Sequence, residues 1–196
     1  MLRTLRAAAD AILVGSVTLA AERYANLLDP GQREARALAG RSAHPLVATI
    51  SRRLDLDQGA IPVLGEPGVD AVIFTEAASA DPRGERGGVA LHPMQPGTLT
   101  ATRVLDELAA GHAVQSVVCE GGPALLARLV AENCLDDLLL TVSPLLAGGE
   151  PGTPAVLGSI GHAGPVRLAL RSVHRAGDHL FLHYARDGAS SSGRDR

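Results

Sequence analysis

The residues with the greatest chemical potential stand in one run, Val117-Val118-Cys119-Glu120-Gly121-Gly122-Pro123-Ala124-Leu125. An apolar strand there delivers a carboxylate, two glycines and the start of a helix. The first-turn amides of such a helix have no internal partners, and its dipole favours an anion. Glycines let a pyrophosphate approach the backbone closely, and Pro123 suits an early helical position. Glu120 falls at the carboxyl end of the strand, where ligands bind in open α/β sheets. The same residues also fit a plain strand-to-helix turn with a solvated glutamate. The full dinucleotide fingerprint is absent, and a Gly-Gly pair by itself is weak.

A second run, Ala11-Ile12-Leu13-Val14-Gly15-Ser16-Val17-Thr18, repeats the pattern of strand, glycine and helix start. Thr18 and Glu22, four apart, share one helix face. They fit a cofactor contact or an ordinary helix with an exposed glutamate. Ser51-Arg52-Arg53 follows the apolar segment Leu46–Ile50 and offers a hydroxyl and guanidinium groups to a phosphate, or simply exposed arginines at a strand end. The seven histidines are scattered without ligand spacing, so no metal is expected. No Gly-x-Ser-x-Gly elbow or Walker loop is present. The 18 basic residues are all arginine, which excludes lysine Schiff-base chemistry. Cys119 and Cys134 cannot build a disulfide framework, and Cys119 reads as a buried filler.

The elements that must position these residues alternate between helices and short apolar strands. Helices are expected up to Ala9, from near Thr18, over Gln32–Ala39, over Thr100–Ala110 with Gly111 as the stop, and over Gly122–Ala131. Strands are expected at Ala11–Val14, Leu46–Ile50, Asp70–Thr75, Val89–His92, Val114–Cys119 and Leu138–Val142. Two more, Val166–Val173 and His179–Ala185, flank a hairpin turn over Arg175–Asp178. Asp57–Gly68 reads as loop, Ala78–Gly88 as a polar excursion and Ala147–Gly164 as a Gly/Pro-rich loop. Helices between the early strands imply parallel crossovers, and the final hairpin adds antiparallel pairing. The fold class is α/β: a mixed, mainly parallel sheet with helices on both faces and a C-terminal antiparallel hairpin.

A length of 196 residues suits one domain, expected over residues 1–187 with a disordered Ser/Gly/Arg-rich tail at 188–196. The net charge of -3 gives no general attraction for nucleic acid or an anionic membrane. No apolar run reaches the roughly 20 residues of a membrane span, and no signal-peptide core opens the chain. The default expectation is a cytoplasmic protein acting on a small molecule.

Three segments in order carry a family resemblance: Asp10–Thr18, then Glu120-Gly121-Gly122-Pro123, then Leu135-Asp136-Asp137-Leu138 leading to Ser143-Pro144-Leu145-Leu146-Ala147-Gly148-Gly149. Together they resemble the pyrimidine reductase domain of bacterial riboflavin biosynthesis, the RibD C-terminal type, over about residues 1–185. The resemblance implies a dihydrofolate-reductase-like fold, a homodimer, and NADPH-dependent reduction of the ribose of a phosphoribosylamino-pyrimidine. It implies cofactor contacts at Gly15, Thr18, Glu22, Ser51, Arg52, Gly121, Gly122, Pro123, Ala124 and Leu125, and substrate contacts at Arg6 and Glu120. It also implies a preceding strand with a Ser-Leu-Asp-Gly-like segment, which these residues do not include. The loop after Tyr24, Ala25-Asn26-Leu27-Leu28-Asp29, lacks the arginine that the family directs at the substrate phosphate. A dihydrofolate-type or other heterocycle reductase, or a non-catalytic nucleotide-binding or dimerisation module, are the alternatives.

Arg52 and Arg53 are placed to meet the 2′-phosphate that distinguishes NADPH from NADH. Charge-assisted contacts contribute roughly 1.5–3 kcal/mol each. NADPH is therefore expected to be favoured over NADH, and reversing the charge of one of these arginines should weaken NADPH about tenfold or more. Fluorescence titration with both cofactors checks this; equal affinities in the unmutated protein would remove the assignment.

Overall fold

In a computed structural model, residues 1–78, 88–146, 156–157 and 165–186 are described. Most of the expected excursion at 78–88, most of the loop at 147–164 and the tail at 188–196 lie outside the described residues.

The chain runs α1 (Leu2–Ala8), β1 (Ala11–Gly15), α2 (Ser16–Ala21), α3 (Pro30–Leu38), β2 (Leu46–Ile50), β3 (Ala71–Thr75), β4 (Val89–Pro93), α4 (Ala101–His112), β5 (Val117–Cys119), α5 (Pro123–Ala131), β6 (Asp137–Val142), β7 (Leu168–Ala176) and β8 (His179–Arg186). The stretch expected as loop after Asp57 holds two short 3-10 turns, Gln58–Ala60 and Pro62–Gly65. Helix α3 starts two residues ahead of the expected Gln32. Asp29 caps it, its carboxylate accepting from Gln32 N–H while the Gln32 side chain accepts from Asp29 N–H. Helix α4 runs through Gly111 instead of stopping there. It ends where Ala113 takes a left-handed conformation, φ 54°, and Val114 N–H closes on Leu108 O.

Strands β4-β3-β2-β1-β5 form one sheet, parallel throughout. Alternation sorts its side chains onto two faces. Ile12 and Val14, Val47, Ala71 and Ile73 join Leu19 of α2 and Val63 on one side. Leu13, Ala48, Val72 and Phe74 meet Val104 and Leu108 of α4 and Leu125 and Leu129 of α5 on the other. The central strands β1, β2 and β3 are buried on both faces, as a parallel sheet between helix layers requires, while β4 and β5 are partly exposed. Arg36 of α3, only 4% exposed, ties α1 in place by donating to the carbonyls of Ala7, Ala9 and Ser42.

Strands β6-β8-β7 form a second sheet, antiparallel throughout. The expected mixture of parallel and antiparallel pairing is present, but it is divided between two sheets. Strand β5 pairs over three residues with β1 alone, and β6 pairs with β8 alone, among the described residues. The β7–β8 turn is tighter than expected, with Ala176 opposite His179 and Gly177 at φ 58°. Among the described residues no helix is long and apolar enough to cross a membrane.

Candidate functional site

Strand β1 lies between β2 and β5, and all three run the same way, so their carboxyl ends finish along one edge. Two of them pass straight into helices: Gly15 leads into α2, and Glu120-Gly121-Gly122 leads into α5. The two turns are bonded to each other, Gly15 N–H donating to Gly121 O at 2.7 Å. Gly121 sits at φ 87°, in the region that favours glycine. The Gly121–Gly122 peptide bond is cis. A Cβ on Gly122 would lie 2.5 Å from Thr18 Oγ1, and one on Gly15 would lie 3.4 Å from Gly122 N. Four of the expected cofactor residues, Gly15, Thr18, Gly121 and Gly122, are therefore one packed unit. Gly122 caps α5 without a side-chain hydrogen bond, so its own residue leaves the first-turn amides of that helix unclaimed. Pro123 and the exposed Ala124 complete the turn, while the Leu125 side chain is 6% exposed and belongs to the core. Only the backbone of Leu125 is available to a ligand.

Arg6 and Glu120 meet across 114 positions of sequence. Arg6 Nε donates to Glu120 Oε1 and Nη2 to Oε2, both at 2.7 Å, with the side chains 12% and 3% exposed. Such a fork is the strong form of the ion pair, and removing one partner of a buried pair costs about 3–5 kcal/mol. The hydrogen bond to Glu120 raises the Arg6 pKa above its ordinary value. Tyr24 closes the cluster, its ring centroid 5.2 Å from Arg6 Cζ. Burial, followed by the negative charge of Glu120 and a hydrogen bond to it, pushes the Tyr24 hydroxyl well above its usual range. Tyr24 thus stays a protonated donor in any ordinary buffer. It was not among the sequence-derived candidates. Its signal was there, since the chain holds only two tyrosines and this one follows Glu22 by two residues.

The remaining candidates are placed less directly. Ser51 is 2% exposed, and its hydroxyl donates to Asp55 Oδ1 at 3.0 Å. Arg52 turns away along the sheet edge, donating to Glu76 Oε2 at 2.7 Å and to Leu99 O at 2.9 Å. A 2′-phosphate would have to compete with Glu76 for that guanidinium, so the weight of the contact shifts to the exposed Arg53. Glu22 is exposed at the end of α2. Burial pushes the Cys119 thiol up, which suits a filler rather than a nucleophile.

The family description "RibD C-terminal domain" matches residues 1–182. No curated protein matches. Among solved structures, the chain is similar to a pyrimidine reductase-like protein from Corynebacterium diphtheriae, at 22% identity and a TM-score of 0.76, covering 94% of this chain and 78% of that one. It is similar at 18% identity and a TM-score of 0.69 to a diaminohydroxyphosphoribosylaminopyrimidine deaminase/5-amino-6-(5-phosphoribosylamino)uracil reductase from Thermotoga maritima. That match covers 94% of this chain and 47% of the other, so the chain spans about half of that protein. The riboflavin biosynthesis reductase Rib7 of Saccharomyces cerevisiae is 16% identical at a TM-score of 0.69, with 93% of this chain and 78% of that one covered. At these identities the likeness is one of fold.

The contact between Gly122 and Thr18 gives a direct test of the paired turns. Overpacking of this kind costs about 1–3 kcal/mol, which at this size lowers Tm by roughly 3–10 °C. Gly122→Ala is expected to show that loss, and adding Thr18→Ala should restore most of it, because the next nearest atom, Thr18 Cβ, is 3.9 Å away. Melting curves of the two single variants and the double variant measure the coupling; strictly additive losses would show that the turns do not touch.

Proposed function

Because the chain belongs to the RibD C-terminal domain family, we propose that it is an NADPH-dependent reductase of riboflavin biosynthesis acting on a 5-amino-6-(5-phosphoribosylamino)uracil-like substrate. The observation that carries this reading is the pair of bonded strand-to-helix turns beside a charged, half-buried Arg6–Glu120–Tyr24 cluster. The uncapped start of α5 suits a pyrophosphate, with Gly121, Gly122 and the amides of Ala124 and Leu125 around it. Gly15, Thr18, Glu22, Ser51 and Arg53 border the same sheet edge and complete the cofactor side. Bound NADPH supplies a hydride, and the protein's task is then to orient two ligands and exclude water. Glu120 accepts hydrogen bonds from ring amino and imino groups of the substrate, Arg6 fixes that carboxylate, and Tyr24 remains a donor to a substrate oxygen.

One observation favours a second reading, a reductase of an unphosphorylated heterocycle on the same scaffold. Leu27 and Leu28 are 0% and 3% exposed, and Asp29 caps α3. The loop after Tyr24 therefore serves the core, and no arginine of that loop faces a substrate phosphate.

We further propose a cytoplasmic homodimer. The pairs Leu138↔Tyr184, Leu140↔Leu182 and Val142↔Leu180, with Leu170 and Val173 of β7, place one apolar face on the antiparallel sheet. Leu170 and Val173 are 53% and 50% exposed there. A second copy would cover that face.

Glu120→Gln tests the site. It keeps the shape, removes the charge and presents an NH₂ group to the donors of the ligand. Catalytic efficiency with the aminouracil ribosyl phosphate should fall by roughly 10- to 100-fold, while NADPH affinity stays within about threefold. Both titrations belong on one preparation, with sedimentation velocity reporting the dimer. Lost NADPH affinity with normal turnover would make Glu120 a cofactor residue, and turnover only on unphosphorylated analogues would select the second reading.

A further inference from the structure

The opposite, amino-terminal edge of the parallel sheet borders a cavity of about 620 Å³ that the reductase reading does not use. Asp10 lines it just before β1, Ser42 and His44 just before β2, and Arg36 and Arg41 in and after the last turn of α3. The five residues of β1 separate Asp10 from the turn at Ser16 by about 16 Å.

The charges around this cavity are unevenly satisfied. Asp10 is fully engaged: Oδ1 accepts from Arg41 Nη2, and Oδ2 accepts from the N–H groups of Gln115 and Ser116 and from the Ser116 hydroxyl. The cations keep spare donors. A guanidinium carries five N–H groups. Arg36 uses three, Nε on Ser42 O and Nη1 on Ala7 O and Ala9 O, so Nη2 has no acceptor among the described residues. All three acceptors are carbonyls, and the neighbouring carboxylate of Asp10 pairs with Arg41 instead. Arg41 uses Nη1 on Ala8 O and Nη2 on Asp10, and its Nε stays open. A guanidinium only 4% exposed with no counter-ion of its own is costly. Burial, and then the positive charge of Arg41, lower the Arg36 pKa. A bound anion would relieve both.

His44 is an independent sign of a ligand. The residue is 6% exposed, and its Nδ1 is buried without a hydrogen-bond partner among the described residues. Buried polar atoms are nearly always bonded. In the Nδ1–H tautomer this atom is a donor that lacks an acceptor, on the wall of the same cavity as the two arginines.

We propose that this cavity binds a phosphate monoester, its oxygens accepting from Arg36 Nη2, Arg41 Nε and His44 Nδ1. Guanidinium groups match phosphate oxygens in geometry and charge, and the volume leaves room for a small organic body behind the head group. Because Arg36 also holds the carbonyls of Ala7 and Ala9, occupancy reaches the C-terminal end of α1. This inference stands on the cavity and its spare donors and does not depend on the reductase reading.

The full chain is titrated with inorganic phosphate and with glycerol 3-phosphate at constant ionic strength, and NMR follows arginine Nε–H, histidine ring and backbone amide signals. The Arg36 and Arg41 Nε–H groups, the His44 ring and the Ala9 amide are expected to shift together and saturate, with glycerol 3-phosphate at least threefold the tighter. Arg41→Gln should weaken the monoester at least tenfold. His44→Phe keeps a ring and removes the unpartnered nitrogen, so it should melt no lower than the parent while weakening the monoester at least threefold. The proposal is overturned by absent saturable shifts at these groups, by inorganic phosphate binding as tightly as the monoester, or by affinities unchanged in both variants. Shifts confined to the Gly121, Gly122 and Ala124 amides would also overturn it, assigning the anion to the paired turns alone.

Discussion

The hydrogen bond from Gly15 N–H to Gly121 O, 2.7 Å long, is the contact on which the candidate site depends. It exists because β1 and β5 are parallel neighbours that end together and each needs a tight exit into a helix. Glycine is required at the crossing for two separate reasons. Gly121 takes a positive φ that side chains resist, and Gly122 lies where a Cβ would strike Thr18. The same crossing brings two helix starts to one place, which concentrates unpaired amides and dipole field where an anion would sit.

Electrostatics then ties the N-terminal helix to this edge. Arg6 comes from α1, Glu120 from the end of β5 and Tyr24 from the segment after α2, and the three meet in one contact cluster. Because the Arg6–Glu120 fork is satisfied internally, it holds the carboxylate in one orientation in advance of a ligand. A preoriented carboxylate saves reorganisation when a substrate arrives. Arg36 adds a second anchor at the C-terminal end of the same helix, bonding the carbonyls of Ala7 and Ala9.

Much of this was legible in the sequence. Apolar runs located β1, β2 and β5, the first and last of them with glycines close after, and Leu46–Ile50 is a strand with the expected bounds, because short apolar runs carry a strong signal. Helix ends were less legible. Gly111 looked like a stop, yet the helix ends only when Ala113 turns left-handed, and the capping box at Asp29 moved the start of α3 forward. Pairing was the least legible, since local patterns do not say which edges meet. They gave both parallel and antiparallel strands without showing that β5 and β6 leave an open groove between two sheets. At the candidate site, the motifs and the resemblance they carry pointed to the glycines, Arg6 and Glu120, which the fold brings to one sheet edge. The fates of Arg52 and Ser51, turned to Glu76 and Asp55, and the role of Tyr24 depend on contacts across the sheet that spacing cannot encode.

The central claim is that the paired turns form the anion-binding edge of the molecule. Backbone amide shifts recorded during an NADPH titration of the full chain test it most directly. The account predicts that the largest changes fall on Gly15, Ser16, Gly121, Gly122, Ala124 and Leu125, saturating together with one affinity. Saturable shifts confined instead to β6 and β8, or to the Arg36–Arg41 end of the sheet, with these six amides unmoved, would contradict it.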